Sequence, residues 1–165
     1  MSRFWAVLLG LGLMVAEATA AEEGTNRMTR LLAKLEKGEQ VTIVAIGDSN
    51  TELTFHTHGH LNFCYLLQEA LLEKYGGNKV IMIDSGSCGS GLANGLARLD
   101  RDVLRFKPDL VIIGYYDSDM DSLRKIIEKV RAAGDTEILL RTPNPYIAPN
   151  MPAVMTKVEA IELAV

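Results

Sequence analysis

The sequence predicts an α/β protein, a parallel sheet covered by helices on both faces in a three-layer α/β/α arrangement. Two observations carry this. Short apolar runs at 41–46, 79–83, 110–113 and 137–140 alternate with longer segments whose apolar residues recur every three or four positions. The first run is apolar and β-branched and reads as a buried strand, and strands that alternate with amphipathic helices build parallel sheets sandwiched between them.

The elements follow in order. Met28, Leu31, Leu32 and Leu35 share one helical face, with Thr25 placed to cap its start and Gly38 to stop it. The strand that begins at Val41 ends in Gly47-Asp48-Ser49-Asn50-Thr51. There Gly47 can take backbone angles closed to larger residues, Asp48 and Asn50 can cap N–H groups, and Ser49 presents a hydroxyl at the tip. In an open parallel sheet this carboxyl end of a strand is where ligands bind. Phe63, Leu67, Ala70 and Leu71 make the next helical face, closed by Tyr75-Gly76-Gly77, and the second strand runs over 79–83. Leu92, Leu96, Leu99, Val103 and Phe106 form one further stripe, which Pro108 ends. The third strand, 110–113, precedes a helix with Leu123, Ile126, Ile127 and Val130 inward and Ala132-Ala133-Gly134 at its end. A fourth strand, 137–140, leads into the irregular Thr142-Pro143-Asn144-Pro145, and a last amphipathic helix from Met151 carries Val154, Val158, Ile161 and Val165.

Met1-Ser2-Arg3, the apolar stretch from Phe4 to Val15 and Ala18-Thr19-Ala20 have the charge, apolar core and small-residue site of a secretory signal peptide. Its apolar run is too short to span a bilayer, which takes about 20 residues, so no transmembrane anchor is expected after cleavage behind Ala20. The expected organisation is a signal peptide at 1–20, a linker and first helix at 21–39, and the main domain at 40–165, exported to the periplasm or secreted. A formal charge of −4 with no basic stripe excludes a nucleic-acid partner as the default. Cys64 and Cys88 are expected either to pair in an oxidising compartment or to stay as buried free thiols. They lack metal-type spacing.

Gly47-Asp48-Ser49-Asn50-Thr51 resembles the first motif block of the GDSL, or SGNH, hydrolases, in which the serine is the nucleophile. Further stretches follow in the family's order: Gly86-Ser87-Cys88-Gly89 after the second strand, then 95–104, then Lys107-Pro108-Asp109-Leu110-Val111-Ile112-Ile113. The resemblance implies a flavodoxin-like sandwich, usually built on five strands, and serine-dependent hydrolysis of a carboxylic ester without a cofactor. The substrate implied is a lipid, a small acyl ester or an acetylated carbohydrate. It places the nucleophile on Ser49 and oxyanion donors on the N–H groups of Ser49 and Gly89. Where the family carries Gly-x-Asn-Asp this sequence reads Gly114-Tyr115-Tyr116-Asp117, so Tyr116 stands in place of the asparagine donor. A phenol hydroxyl lies much further from the backbone than a carboxamide and would not fall on the same point.

In the family the base is a histidine in a late Asp-x-x-His block, which does not occur before Val165. The resemblance therefore implies a chain incomplete at its C-terminus or one that has lost its base. The histidines of this sequence, His56, His58 and His60, all follow the Ser49 loop, and one of them would serve as base only if that loop folded back on itself. Were the run extended, three imidazoles at alternate positions would share a face suited to a divalent metal. Three ligands so close along one segment wrap a tetrahedral ion poorly, so no metal is expected. With Asn50 these histidines are expected in a substrate-contacting or solvated loop. Asp117, Asp119 and Asp121 are expected to cap the helix they open, and Asp100, Arg101 and Asp102 to lie on a solvated helix face. Two rivals remain open: a ligand- or glycan-binding pseudo-hydrolase, and an anion binder that uses the loop after the first strand.

Overall fold

The computed structural model describes residues 28–53, 56–58 and 60–142. Its elements are α1 (Thr29–Glu36), β1 (Val41–Gly47), α2 (Phe63–Tyr75), β2 (Val80–Gly86), α3 (Leu92–Asp102), a 3-10 turn (Leu104–Phe106), β3 (Leu110–Gly114), α4 (Met120–Ala133) and β4 (Glu137–Leu140). Residues 1–20, Thr25, the segment from Pro143 and the helix expected from Met151 lie outside the described residues.

The four strands are all parallel and lie in the order β2-β1-β3-β4. Alternation along β1 and β3 divides the core into two layers. Val44, Ile46, Val111 and Ile113 face α3 and α4, where they meet Leu92, Leu99, Leu123, Ile126 and Val130. Val41, Ile43, Ala45, Leu110 and Ile112 face the other way, onto Leu31 and Leu35 of α1 and Cys64 of α2. Most of these side chains are fully buried. Each buried Val, Leu or Ile among them contributes roughly 1.5–3 kcal/mol relative to exposure, so the two faces together are what hold the three layers. The first helix, assigned from sequence to a segment ahead of the main domain, packs into this core.

The α3 stripe is broken earlier than the sequence pattern implies. The α-helix ends at Asp102, Val103 is buried with non-helical angles, and only a single 3-10 turn carries the chain on to Phe106. Asp102 departs from expectation too. It is not on a solvated face: its side chain is 18% exposed, held by Arg98 from one turn earlier and by Arg101. Hydrogen bonding from Arg101, reinforced by Arg98, holds the Asp102 carboxyl down to about 2.

The start of α1 is capped from a distance. Met28 at the N-cap offers no side-chain acceptor, and the Glu137 carboxylate of β4 accepts from the N–H groups of Arg30 and Leu31, each at 3.0 Å. A nearly buried carboxylate thus satisfies two of the donors that a helix leaves open and sits at the positive end of its dipole. Nothing near α1 in the sequence announces this, because the acceptor is more than a hundred residues away.

Two outcomes follow. Glu137→Ala strips both donors of their partner and is expected to destabilise the fold by about 1–3 kcal/mol, read as a lower urea midpoint with an unchanged slope. For Asp102 the folded carboxyl titrates below its ordinary value of 3.8, so its stabilisation is complete above 3.8 and disappears as pH falls through about 2. The stability difference between wild type and Asp102→Asn, measured by urea unfolding across that window, is expected to close in the same range.

Candidate active site

The parallel register brings Gly47, Gly86 and Gly114 level with one another at the carboxyl ends of β1, β2 and β3. At Gly47 and Gly86 the glycine is a steric requirement. A Cβ on Gly47 would fall 2.0 Å from Thr51 Oγ1 and 2.3 Å from the Gly114 carbonyl, and one on Gly86 would fall 2.1 Å from the Glu52 backbone nitrogen. Without side chains there, the turn that carries Ser49 can fold down over the sheet rim. Inside that turn the N–H groups of Thr51 and Glu52 both donate to the Asp48 carbonyl.

Asp48, buried beneath the turn, ties the strand ends together. Its Oδ1 accepts from the Asn50 N–H (2.8 Å) and Asn50 Nδ2 (3.1 Å), and its Oδ2 accepts from the Tyr116 N–H (2.7 Å). The Asp48 N–H donates to the Gly114 carbonyl, and the Ser87 N–H to the Gly47 carbonyl. The loops after β1, β2 and β3 are therefore one hydrogen-bonded unit. The Asn50 amide nitrogen thus donates within the loop that carries it.

Arg98 braces the unit from below. Its guanidinium, from α3, donates to the carbonyls of Ser85 (2.7 Å) and Gly47 (3.0 Å), to Tyr115 Oη (3.1 Å) and to Asp102. Burial raises the Tyr115 phenol, which keeps it neutral as the acceptor. Gly95 makes room for this contact, since a Cβ there would lie 2.3 Å from Tyr115 Oη. Sequence reasoning missed Arg98. The available signal was a cation beside the apolar stripe of α3, one turn from an aspartate and three residues after a mid-helix glycine.

Gly89 is exposed, with φ +70°, so a glycine is needed for conformation rather than for space. Among the described residues neither its N–H nor that of Ser49 is given to another group. Tyr116 is 43% exposed, while the preceding tyrosine is the buried one. Asp117 caps a different helix from the one it precedes: its Oδ2 accepts from the Leu92 N–H at the start of α3, and its Oδ1 from Ser118 and Asp119. Asp119 caps α4 through the Ser122 N–H. Both cysteines are free, yet they are not two buried thiols. Cys64 is buried and pushed up to about 12 by burial, whereas Cys88 is exposed.

The histidine run is turned rather than extended. His58 has φ +51°, the His60 N–H closes onto the Thr57 carbonyl, and all three histidines are exposed. The shared face on which a three-imidazole metal site depends is therefore not formed, and among the described residues no three His, Cys, Asp or Glu side chains converge to hold an ion. The turn brings His56 back onto the first loop, with Nε2 3.0 Å from Ser49 Oγ. A small cavity lies beside the third loop, between Leu92, Tyr115, Asp117, Met120 and Arg141. No helix among the described residues is long and apolar enough to cross a membrane.

No family model matches the sequence, and no curated protein does. Solved structures do share the fold. A two-domain esterase active on acetylated mannans, co-crystallised with mannopentaose, superposes with a TM-score of 0.63 at 24% identity, over 70% of this chain and 33% of that one. Axe2, an acetyl xylan esterase from Geobacillus stearothermophilus studied as a variant, gives 0.61 at 20% identity over 76% and 72%. LAE5, an alpha/beta hydrolase from the metagenome of Lake Arreo, gives 0.56 at 20% identity over 76% and 71%. The chain thus spans about a third of the mannan esterase and nearly three quarters of the other two. What it shares with these proteins is the parallel α/β sandwich.

Proposed function

We propose that this chain is an SGNH-type hydrolase domain that cleaves carboxylic esters on acetylated carbohydrate, with Ser49 as the nucleophile. The observation that carries the reading is the rim itself: a half-buried serine hydroxyl on the turn after β1, where three strands end level, with N–H groups of Ser49 and Gly89 that are given to no other group among the described residues. Likeness to esterases of acetylated mannan and xylan favours an acetyl group on a sugar.

In this reading Ser49 Oγ attacks the ester carbonyl and the two N–H groups hold the oxyanion. The alcohol leaves, and water releases the acid from the acyl-enzyme. Asp48 and Arg98 act by positioning, since both are bound to the backbone that carries the serine. The proposal takes residues 1–20 as an export signal and 40–165 as the hydrolase domain. A second reading, a glycan-binding module without turnover, is favoured by Tyr116 at the position where the family donates a carboxamide.

The test is incubation of the full chain with an aryl acetate, an acetylated xylo- or manno-oligosaccharide and a fluorescent fluorophosphonate. Wild type is expected to release acetate and take the label on Ser49, and Ser49→Ala to do neither. Gly86→Ala keeps the serine but pushes its turn off the rim, and should lower the labelling rate by about 10²-fold, as expected for displacement of a reacting group by about 1 Å. Oligosaccharide binding with neither label nor acetate release would select the binding module instead.

A further inference from the structure

We propose that His56 is the general base for Ser49, so that nucleophile and base both lie within the single loop joining β1 to α2. This rests on the reading of Ser49 as the nucleophile. The geometry is direct: Nε2 stands 3.0 Å from Ser49 Oγ, within reach for a base that takes a hydroxyl proton. With the imidazole protonated on Nδ1, Nε2 is the acceptor of the Ser49 O–H.

The fold supplies the reason that a histidine seven residues downstream can return to the serine. Both ends of the loop are held by one residue. Asn62 caps α2 by accepting from the N–H groups of Cys64 and Tyr65, and its Nδ2 donates 2.6 Å to the Thr51 carbonyl at the foot of the Ser49 turn. The same Nδ2 is anchored by Asp84 Oδ2 of β2, also at 2.6 Å. The clasp holds the two ends of the loop close together. Within it Thr57 Oγ1 donates to the Leu53 carbonyl, which tightens the turn that carries His56. Among the described residues, the histidine hydrogen-bonded to Ser49 Oγ is His56.

The proton balance needs only substrate and water. Nε2 takes the Ser49 proton as the Oγ–C bond forms, and the imidazolium returns it to the alcohol oxygen as the ester C–O bond breaks. Water then gives a proton to Nε2 while adding to the acyl carbon. That proton goes back to Oγ as the Oγ–C bond breaks and the acid departs.

The experiment compares fluorophosphonate labelling rates and aryl acetate turnover of the full-length wild type with those of Ser49→Ala, His56→Gln and His56→Ala. His56→Gln can still hydrogen-bond the serine but cannot carry its proton, so it separates a base from a loop anchor. His56 is exposed; thermal unfolding of each variant verifies that the fold is retained. Both His56 variants are expected to lose about 10²–10⁴-fold in labelling and turnover, and added imidazole to restore part of the His56→Ala loss. Labelling of wild type and His56→Gln at the same rate would overturn the role of His56 while leaving Ser49 as the nucleophile. A folded wild type that neither takes the label nor hydrolyses the ester would overturn the hydrolase reading, and the base with it.

Discussion

The constraint on which the site depends is steric: two neighbouring strands, β1 and β2, must end in glycine at the same level. In register, Gly47, Gly86 and Gly114 leave the sheet rim without side chains where the Ser49 turn crosses it. Any Cβ on Gly47 or Gly86 would meet Thr51, Glu52 or the Gly114 carbonyl at about 2 Å, far inside contact distance. Close packing of interiors makes such an overlap impossible to absorb without moving backbone. The site is therefore built by register as much as by the residues that display the chemistry.

Given that rim, a small polar network does the rest. Asp48 binds the loops of β1 and β3 together from within, and Arg98 gathers the Gly47 and Ser85 carbonyls and the Tyr115 phenol from beneath. Buried polar groups of this kind are costly unless paired, and their pairing here crosses between elements that have no local reason to meet. Asn62 plays a corresponding part on the other side, joining the start of α2 to the Thr51 carbonyl and to Asp84. The consequence is a Ser49 loop fixed at its base, with His56 Nε2 3.0 Å from Ser49 Oγ.

Several acidic residues illustrate how a sequence can show a type of role without its target. Asp117 reads as a cap for the helix that follows it and instead caps α3, which precedes it in the chain. Glu137 reads only as the first residue of a strand and closes the N-terminus of α1. Asp102 reads as solvated and is clasped by two arginines. In each case the carboxylate finds the nearest open donors in space, and proximity in space is set by the sheet order.

The sequence by itself determined the layers, the strands and the loop at the end of β1. Apolar runs alternating with three-to-four periodicity force a covered parallel sheet, and Gly-Asp-Ser at the end of β1 marks the loop that carries the candidate site, because these signals are local and periodic. Tertiary structure alone decided that the α3 stripe breaks after Asp102, that Arg98 braces the strand ends, that Cys88 is exposed while Cys64 is not, and that His56 lies against Ser49. Those outcomes depend on strand register and on hydrogen bonds between different elements, such as Arg98 to Gly47 and Asn62 to Asp84. No local pattern encodes either, since each is settled only when the helices have packed on both faces and the remaining polar groups have found partners.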